Sequence, residues 1–336
     1  MKIAIVRLSA MGDIVHSAIV LQFIKKAFTD VSIDWIVEKS MADVLRYNPD
    51  INNIIEVELK KFKKTKKISD IFSQINIIKS LSKYDYIVDM QGLLKSAIVT
   101  KFMNGKSYGY DKNSIRESIA SYLYNHKIYM PYDANTIDRN MGLISNTFSL
   151  NLNPKDIYDK KPFLFYKDEN KIIYDFLKKD KKNIIFVIGS TWPSRNYPKE
   201  KFVEIADKLK ENILVIWGSE QERVDGEYIE KNSKYASLVP RTDLNTLKAL
   251  IDKCDLLIGN DTGPTHMAWG MNKASITIFG PTPISRVYIT EINKVVKSPS
   301  IVNPYKLNKL DFSIKQIDSA EICNIAISLL GKKDEI

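Results

Sequence analysis

Cysteine is scarce in this sequence of 336 residues, which contains only Cys254 and Cys323. The two lie far apart, without metal-ligand spacing and without a flanking histidine. This pattern argues against a disulfide framework and against a cysteine-based metal site. We interpret both residues as reduced structural thiols and prefer this to a catalytic role.

Long apolar runs are also missing. No stretch approaches the roughly 18 apolar residues that a membrane-spanning helix needs. The first residues, Met1-Lys2, lead directly into a strand-like run and not into a secretory signal. The apolar fraction of 44% and charged fraction of 27% are ordinary for soluble globular proteins. We therefore expect a globular cytoplasmic protein and exclude disordered and fibrous classes.

Arginine is rare although the chain is basic, with a net charge of +10. Many of the lysines are simply solvated, but the charge also suits an anionic partner, for which nucleic acid, phosphorylated lipid and nucleotide are candidates. The few arginines are more informative, because a guanidinium recognises phosphate or carboxylate in a bidentate manner. Only eight of the 50 basic residues are arginines: Arg7, Arg46, Arg116, Arg139, Arg195, Arg223, Arg241 and Arg286.

The first strand-to-helix turn lacks the glycine-rich fingerprint of dinucleotide-binding proteins. After the apolar run KIAIVRL, the segment LSAMGDIVHS at 8–17 has a single glycine, Gly12, followed by Asp13. The missing fingerprint argues against a nucleotide-sugar epimerase. It also leaves a carboxylate where the positive end of a helix would otherwise receive phosphate.

Strand-like runs alternate with helix-like segments, which is typical of βα units and parallel sheets. The alternation pauses between residues 151 and 171. We predict an α/β protein with two doubly wound, Rossmann-like domains, residues 1–160 and 161–336, and a final helix at 318–330 that could return to the first domain. The strand-like runs lie at 3–8, 32–38, 54–58, 84–92, 183–190, 212–220, 236–240, 254–261 and 274–282, and further helix-like segments at 16–28 and 199–210.

Residues that follow the strand-like runs are the candidates for a site, because open parallel sheets bind ligands beyond the carboxyl ends of their strands. The sequence NDTGPTH at 260–266 offers backbone N–H groups at the start of a helix, where a phosphate can bind. An alternative is that Asp261 or Thr262 only caps that helix and His266 only packs. The whole candidate set is Ser9–Asp13, Gln91–Gly92, Gly189–Ser194, Gly218–Glu222, Asn260–His266 and Gly280–Thr282.

Taken together, SAMGDIVH, DMQG with LLKS, RESIAS, NDTGPTHMA and FGPT resemble the lipopolysaccharide heptosyltransferases of glycosyltransferase family 9. Met11, which precedes Gly12, and His16 resemble the corresponding residues of the heptosyltransferase I branch. The resemblance implies a GT-B enzyme with two domains facing a central cleft. It implies transfer of L-glycero-D-manno-heptose from ADP-heptose to Kdo of Kdo-lipid A, with inversion and without a metal or other cofactor, at the cytoplasmic face of the inner membrane.

The resemblance also implies roles for individual residues. Asp13 matches the general base, which would take the proton of the acceptor hydroxyl. Arg195 stands where the family has a lysine, and either cation could neutralise the leaving ADP. The implied donor-binding residues are Ser9, Gly12, Thr191, Arg195, Trp217, Gly218, Glu222, Asp261, Thr262, Gly263 and His266. The implied acceptor-binding residues are Lys60, Lys61, Lys63, Lys64, Gln91, Gly92, Arg116 and Arg139.

Several alternatives stay open. Asp13 could be an ordinary acid in the first turn of a helix, and the lysine run at 59–67 could be a solvated face. Glu222 matches the acid that holds the adenosine ribose in the family, but Glu220 could take that role. A heptosyltransferase II-like enzyme that adds a later core heptose is the nearest functional alternative. A basic nucleic-acid-binding protein is the alternative from another class, but no aromatic-rich basic sheet or recognition helix supports it, so we expect no nucleic-acid partner.

Overall fold

The structure is a computed structural model that describes residues 1–59, 61, 68–153 and 155–331. The chain divides into two compact units, Met1–Phe163 and Leu164–Ile336. This division lies close to the boundary that the sequence predicts after residue 160.

The first unit is built on a sheet of six strands in which all neighbouring pairs are parallel. The sheet order is β3-β2-β1-β4-β5-β6. The strands are β1 (Lys2–Val6), β2 (Ser32–Glu38), β3 (Asn53–Val57), β4 (Tyr84–Asp89), β5 (Gly105–Tyr110) and β6 (His126–Ile128). The α-helices are α1 (Met11–Ala18), α2 (Val20–Ala27), α3 (Ile68–Lys79), α4 (Leu94–Phe102), α5 (Thr136–Phe148) and α6 (Lys155–Tyr158). In the described part of this unit, 3₁₀ segments lie at Lys39–Val44 and Ser118–Leu123.

The second unit repeats this topology, with a parallel sheet of order β12-β11-β10-β7-β8-β9. Its strands are β7 (Asn183–Val187), β8 (Asn212–Ile216), β9 (Ala236–Leu238), β10 (Leu256–Asn260), β11 (Ser275–Phe279) and β12 (Asn293–Lys297). Its α-helices are α7 (Lys199–Leu209), α8 (Glu220–Asn232), α9 (Leu244–Lys253), α10 (Gly263–Gly270) and α11 (Ser319–Leu329). Its 3₁₀ segments are Lys171–Phe176, Pro193–Arg195, Ile284–Arg286 and Ser313–Gln316.

In each unit the first strand lies between the second and the fourth, so the connections that follow them run toward opposite edges of the sheet. The order of the strands thus reverses between the first and the fourth strand. These pairs are β1 with β4 and β7 with β10. Such a reversal opens a crevice at the carboxyl ends of the two strands, where α/β proteins bind ligands. The strands β1, β7, β8, β10 and β11 are almost continuously buried, as expected for strands covered on both faces.

The final helix α11 belongs to the second unit. It packs against α7 and contacts β11 and β12, and Ile322, Cys323 and Ala326 enter the core. Both thiols are free and buried, and burial raises the pKa of Cys254 to about 12 and that of Cys323 to about 11. Both remain protonated thiols near neutral pH, in agreement with a structural role.

Two features of the first unit differ from the sequence prediction. The first helix begins at Met11 and is interrupted at Ile19, whereas the apolar pattern predicts one helix over 16–28. The strands β5 and β6 had no counterpart in the prediction. Among the helices that the structure describes, none is both long and apolar enough to cross a membrane.

Candidate active site

Asp13 lies in the first turn of α1, directly beyond the carboxyl end of β1. Its Oδ2 accepts the backbone N–H of Ala10 at 3.2 Å and lies 3.2 Å from Nη2 of Arg7. Arg7 is buried, and its Nη1 also donates to the carbonyl of Met90. The Asp13 side chain itself is 44% exposed. The carboxylate is thus held by a buried cation and a helix terminus, yet it stays open to a ligand.

Ser9 lies on the same loop as Asp13. Its hydroxyl accepts hydrogen bonds from side chains that follow β4. Lys95 Nζ donates to Ser9 Oγ at 2.8 Å, and Gln91 Nε2 lies 3.5 Å from the same oxygen. Gln91 Oε1 also accepts the backbone N–H of Leu8 at 2.9 Å. These bonds join Ser9 to Gln91 at the reversal between β1 and β4, and Asp13 follows Ser9 on the same loop. Lys95 joins them, although sequence reasoning did not single it out.

The turn after β4 depends on Gly92 and on the buried Asp89. Gly92 has φ +65°, and a Cβ there would lie 2.4 Å from Cγ2 of Ile115, so the position requires glycine. Asp89 Oδ1 accepts the N–H groups of Gln91 and Gly92 at 2.8 and 3.2 Å, and its Oδ2 accepts Tyr124 O–H at 2.8 Å. Burial raises the pKa of Asp89, and these hydrogen bonds oppose the rise. Gly92 therefore shapes the turn and does not itself offer a side chain to a ligand.

The two arginines predicted to face an acceptor differ in their surroundings. Arg139 donates through Nη1 to the carbonyl of Tyr132 at 3.1 Å and through Nη2 to that of Ser114, and it lies over the rings of Tyr110 and Tyr132. It cross-links three segments of the first unit. Arg116 is exposed and lies 3.7 Å from Glu117.

Only part of the predicted lysine segment can be described. Lys61 is exposed, and its Nζ lies 3.7 Å from Oδ1 of Asp70. Lys60, Lys63 and Lys64 lie outside the described residues.

In the second unit, Asp261 follows β10 and gathers side chains from three other places in the chain. Its Oδ1 lies 3.0 Å from His266 Nε2, and its Oδ2 accepts from Arg195 Nη2 and Thr282 Oγ1, both at 2.7 Å. Burial alone would raise the pKa of Asp261. The hydrogen bond with His266 and the charges of Arg195, His266 and Arg286 outweigh it, so this pKa is well below its usual value. Asp261 is therefore an ionised buried carboxylate.

This carboxylate does not act as a helix cap. Thr262 occupies the N-cap position of α10, without a hydrogen bond from its own side chain to the helix. Gly263 and Pro264 begin the helix, whose terminal N–H groups suit an anion. Asp261 instead fixes one guanidinium and one imidazole beside that terminus. Of the alternatives, Thr262 does stand at the N-cap position, although its side chain makes no cap hydrogen bond, whereas Asp261 and His266 contact each other.

Glu222 and Glu220 lie on the same helix, but their positions differ. Glu222 Oε2 accepts the backbone N–H of Gly218 at 2.7 Å, and a Cβ on Gly189 would lie 2.1 Å from Glu222 Cδ. Glu222 therefore covers the ends of β7 and β8. Glu220 is exposed and pairs with Arg223 at 2.8 Å. The geometry favours Glu222 as the acid at the strand ends.

The loop after β7 carries Thr191, which is exposed, and Trp192. The Trp192 ring lies 5.5 Å from the guanidinium carbon of Arg195 and 4.7 Å from Nζ of Lys309. Trp217 follows β8 and donates its indole N–H to the carbonyl of Val239 at 2.9 Å.

Sequence reasoning missed the contacts of Arg7, Trp192 and Thr282. The rarity of arginine pointed to Arg7, and Thr282 was noted within FGPT, but neither signal identified a partner. Among the residues that the structure describes, no group of three or more His, Cys, Asp and Glu side chains could hold a metal ion.

Comparison with known proteins agrees with this architecture. The family profile of glycosyltransferase family 9 (heptosyltransferase) matches residues 75–306. The chain is 36% identical to lipopolysaccharide heptosyltransferase 1 of Campylobacter coli, over 98% of this chain and 99% of that protein. It is 23% identical to lipopolysaccharide heptosyltransferase 1 of Escherichia coli K12, over 84% of this chain and 88% of that protein.

Solved structures show the same fold. The E. coli heptosyltransferase WaaC with ADP-2-deoxy-2-fluoro heptose matches with a TM-score of 0.78 at 21% identity, covering 98% of this chain and 99% of that one. The E. coli ADP-heptose lps heptosyltransferase II matches with a TM-score of 0.71 at 18% identity, covering 98% of each chain. The predicted GT-B fold is confirmed. The chain belongs to glycosyltransferase family 9, the heptosyltransferases, and is a glycosyltransferase.

Proposed function

We propose that this protein transfers L-glycero-D-manno-heptose from ADP-heptose to Kdo of Kdo-lipid A in inner-core biosynthesis, as an inverting enzyme that needs no metal. The observation that carries the proposal is the buried Asp261, which holds Arg195 and His266 beside the start of α10. The names of two similar proteins support this choice of substrates. One relative is named lipopolysaccharide heptosyltransferase 1, and the similar WaaC structure was solved with ADP-2-deoxy-2-fluoro heptose.

The donor would bind at the carboxyl edge of the second sheet. The diphosphate would accept hydrogen bonds from N–H groups at the start of α10, where the helix dipole favours negative charge. Arg195 and His266 would stabilise the charge that develops on ADP as it leaves. Glu222 would accept hydroxyl groups of the ribose, with Trp217, Gly218 and Thr191 nearby in the strand-end loops.

The acceptor would bind at the carboxyl edge of the first sheet, next to Asp13, Ser9 and Gln91. The acceptor hydroxyl oxygen forms a bond to the anomeric carbon of heptose while the bond from that carbon to the diphosphate oxygen breaks. The hydroxyl proton passes to the Asp13 carboxylate, and the bonding electrons leave with ADP. A single displacement of this kind inverts the anomeric centre. General-base assistance typically accelerates such a step by ~10²–10⁴-fold.

The test is incubation of the purified full-length protein with ADP-heptose and Kdo-lipid A, followed by mass spectrometry. A mass increase of one heptose on Kdo-lipid A, with release of ADP, supports the proposal. Transfer only to an already heptosylated core would instead identify a heptosyltransferase II-like enzyme. Full activity in EDTA would support metal independence, and loss that is restored by a divalent ion would contradict it.

A further inference from the structure

An unusual group of exposed apolar side chains lies on one region of the first unit. We define the α3–α4 surface by six of them. Their exposure is notable because large apolar residues are normally buried, and a contiguous exposed group marks an interaction site. The six residues are Phe72, Leu94, Ile98, Phe102, Ile119 and Tyr122.

The helix α4 contributes a straight stripe to this surface. Leu94, Ile98 and Phe102 are spaced by four residues, which places them on one side of the helix. The other exposed residues of α4 are Lys95 and Lys101. The solvent-facing side of this helix is therefore entirely apolar or cationic.

The neighbouring elements extend the stripe. The helix α4 packs against both α3 and the segment 118–123. Ile119 and Tyr122, which are 61% and 69% exposed, are three residues apart and share one side of a 3₁₀ turn. On α3, Phe72 is 60% exposed and lies two turns before Lys79, whose Nζ lies 5.2 Å from the centre of the Phe102 ring.

Positive charge is interleaved with these apolar groups. Besides Lys79, Lys95 and Lys101, the ammonium of Lys127 lies 5.6 Å from the Tyr122 ring, and Arg116 is exposed beside the 118–123 segment. The carboxylate of Glu117 is engaged by the backbone N–H of Leu94 at 2.8 Å and by Arg116. Apolar side chains with cations among them match the interface of a bilayer that carries anionic headgroups.

The surface also begins at the candidate acceptor site. Leu94 and Lys95 form the first turn of α4, and Lys95 Nζ donates to Ser9 Oγ at 2.8 Å. From Leu94 to Phe102 the stripe extends about 12 Å along the helix. We propose that the α3–α4 surface docks on an anionic lipid bilayer and presents the saccharide of a membrane-held acceptor to Ser9 and Asp13. The second part of this inference rests on the proposed function, whereas docking itself does not.

Vesicle co-sedimentation of the full-length protein tests the docking. The vesicles contain either phosphatidylglycerol with phosphatidylethanolamine or phosphatidylcholine alone. The surface variant is Ile98→Ser/Phe102→Ser/Ile119→Ser, and the matched control is Ile301→Ser/Leu310→Ser, which removes exposed apolar groups from the second unit. We expect wild type and control to bind the anionic vesicles alike and the surface variant to lose tenfold or more in partitioning.

A charge variant, Lys79→Gln/Lys101→Gln, should lose about fivefold per lysine at low salt, since a cation near an anionic surface contributes about that factor. Equal partitioning of the surface variant and the control would overturn the inference, as would equal binding of the wild type to neutral vesicles. Loss of self-association in the surface variant with unchanged vesicle binding would instead assign the surface to a second copy of the chain.

Two further measurements separate this test from that of the proposed function. The surface variant should keep its melting temperature and its transfer to a deacylated, water-soluble Kdo acceptor, because its three positions are exposed and lie outside the site. A wild-type protein that binds anionic vesicles through this surface but transfers no heptose would support docking and contradict the proposed function.

Discussion

The guanidinium of Arg195 lies 2.7 Å from the carboxylate of Asp261, and both side chains are almost completely removed from solvent. A buried ion pair is stable only when its remaining hydrogen-bonding groups are satisfied. Here Thr282 and His266 form the other hydrogen bonds of the Asp261 carboxylate. The pair therefore fixes the position of Arg195, which is the preorganisation that its proposed role in leaving-group stabilisation requires.

Replacing Asp261 by Asn should destabilise the second unit and weaken donor binding together. Removing one partner of a buried ion pair leaves the other charge uncompensated and costs about 3–5 kcal/mol. Urea unfolding and ADP calorimetry measure the two effects. Asp207→Asn is a matched control, because Asp207 is exposed and accepts one hydrogen bond from Ser233. Stability and ADP affinity close to those of the control would contradict the assignment.

The same carboxylate predicts the direction of a pH effect on stability. The folded-state pKa of Asp261 is lowered, whereas an aspartate in an unfolded chain titrates near 3.9. Its stabilising contribution is complete above that value and is lost as the pH falls below it. The free energy of unfolding of wild type should therefore decrease more steeply below about pH 4 than that of Asp261→Asn. Parallel acid titrations of the two proteins would contradict this prediction.

The two glutamates of α8 provide a paired test of the proposed donor site. Glu222→Ala should weaken ADP binding by about 10–100-fold, because hydrogen bonds to a charged group contribute about 1.5–3 kcal/mol. Glu220→Ala should bind ADP like wild type, since its carboxylate faces solvent and Arg223. Isothermal titration calorimetry compares both. If only Glu220→Ala weakened binding, the two roles would have to be exchanged.

The limits of sequence-based prediction are visible in particular elements. The continuous apolar runs of β7, β8, β10 and β11 predict strands correctly because those strands are buried on both faces. The segment GKSYGY of β5 has two glycines, and β6 has only three residues, His126–Ile128. Their strand conformation depends on pairing with neighbours in the sheet, and local composition carries little of that information.

The candidate site, like the fold, could be predicted from the sequence only in part. Strand-end loops could be located from the sequence, because parallel sheets bind ligands at one edge. The contacts of Asp261 with Arg195 and Thr282 join residues from three separate loops. No periodicity encodes such a contact, so only the folded chain reveals it.

Arg7 should tune the proposed general base from a buried position beside it. Its Nη2 lies 3.2 Å from Asp13 Oδ2, and a nearby cation favours the ionised carboxylate. In Arg7→Met the acidic limb of the kcat/KM profile should move to higher pH, whereas Arg7→Lys should restore it in part. A loss of activity that is equal at every pH would indicate a purely structural role for Arg7.

The decisive prediction concerns Asp13, whose carboxylate has two roles available to it. As an acid in the first turn of α1, it accepts the N–H of Ala10 and contributes about 0.3–1 kcal/mol to stability. As a general base, it would accept a proton during transfer. Asn keeps the size and an accepting oxygen but cannot take the proton usefully near neutral pH. We therefore expect Asp13→Asn to lower kcat by a factor on the order of 10²–10⁴ with near-normal ADP-heptose binding and melting temperature.

Asp138→Asn is the control for the helix role, because Asp138 lies in the first turn of α5 in the same unit. Both variants lose one carboxylate near a helix terminus, but Asp13→Asn also removes the charge that pairs with Arg7, so its melting temperature should fall somewhat more than that of Asp138→Asn. Only Asp13→Asn should lose turnover. Single-turnover transfer at saturating donor and acceptor is the appropriate measurement, because it isolates the chemical step from product release. Near-normal transfer by Asp13→Asn would leave Asp13 as a helix-terminal acid, and the base would have to be sought among the other groups at the end of β1.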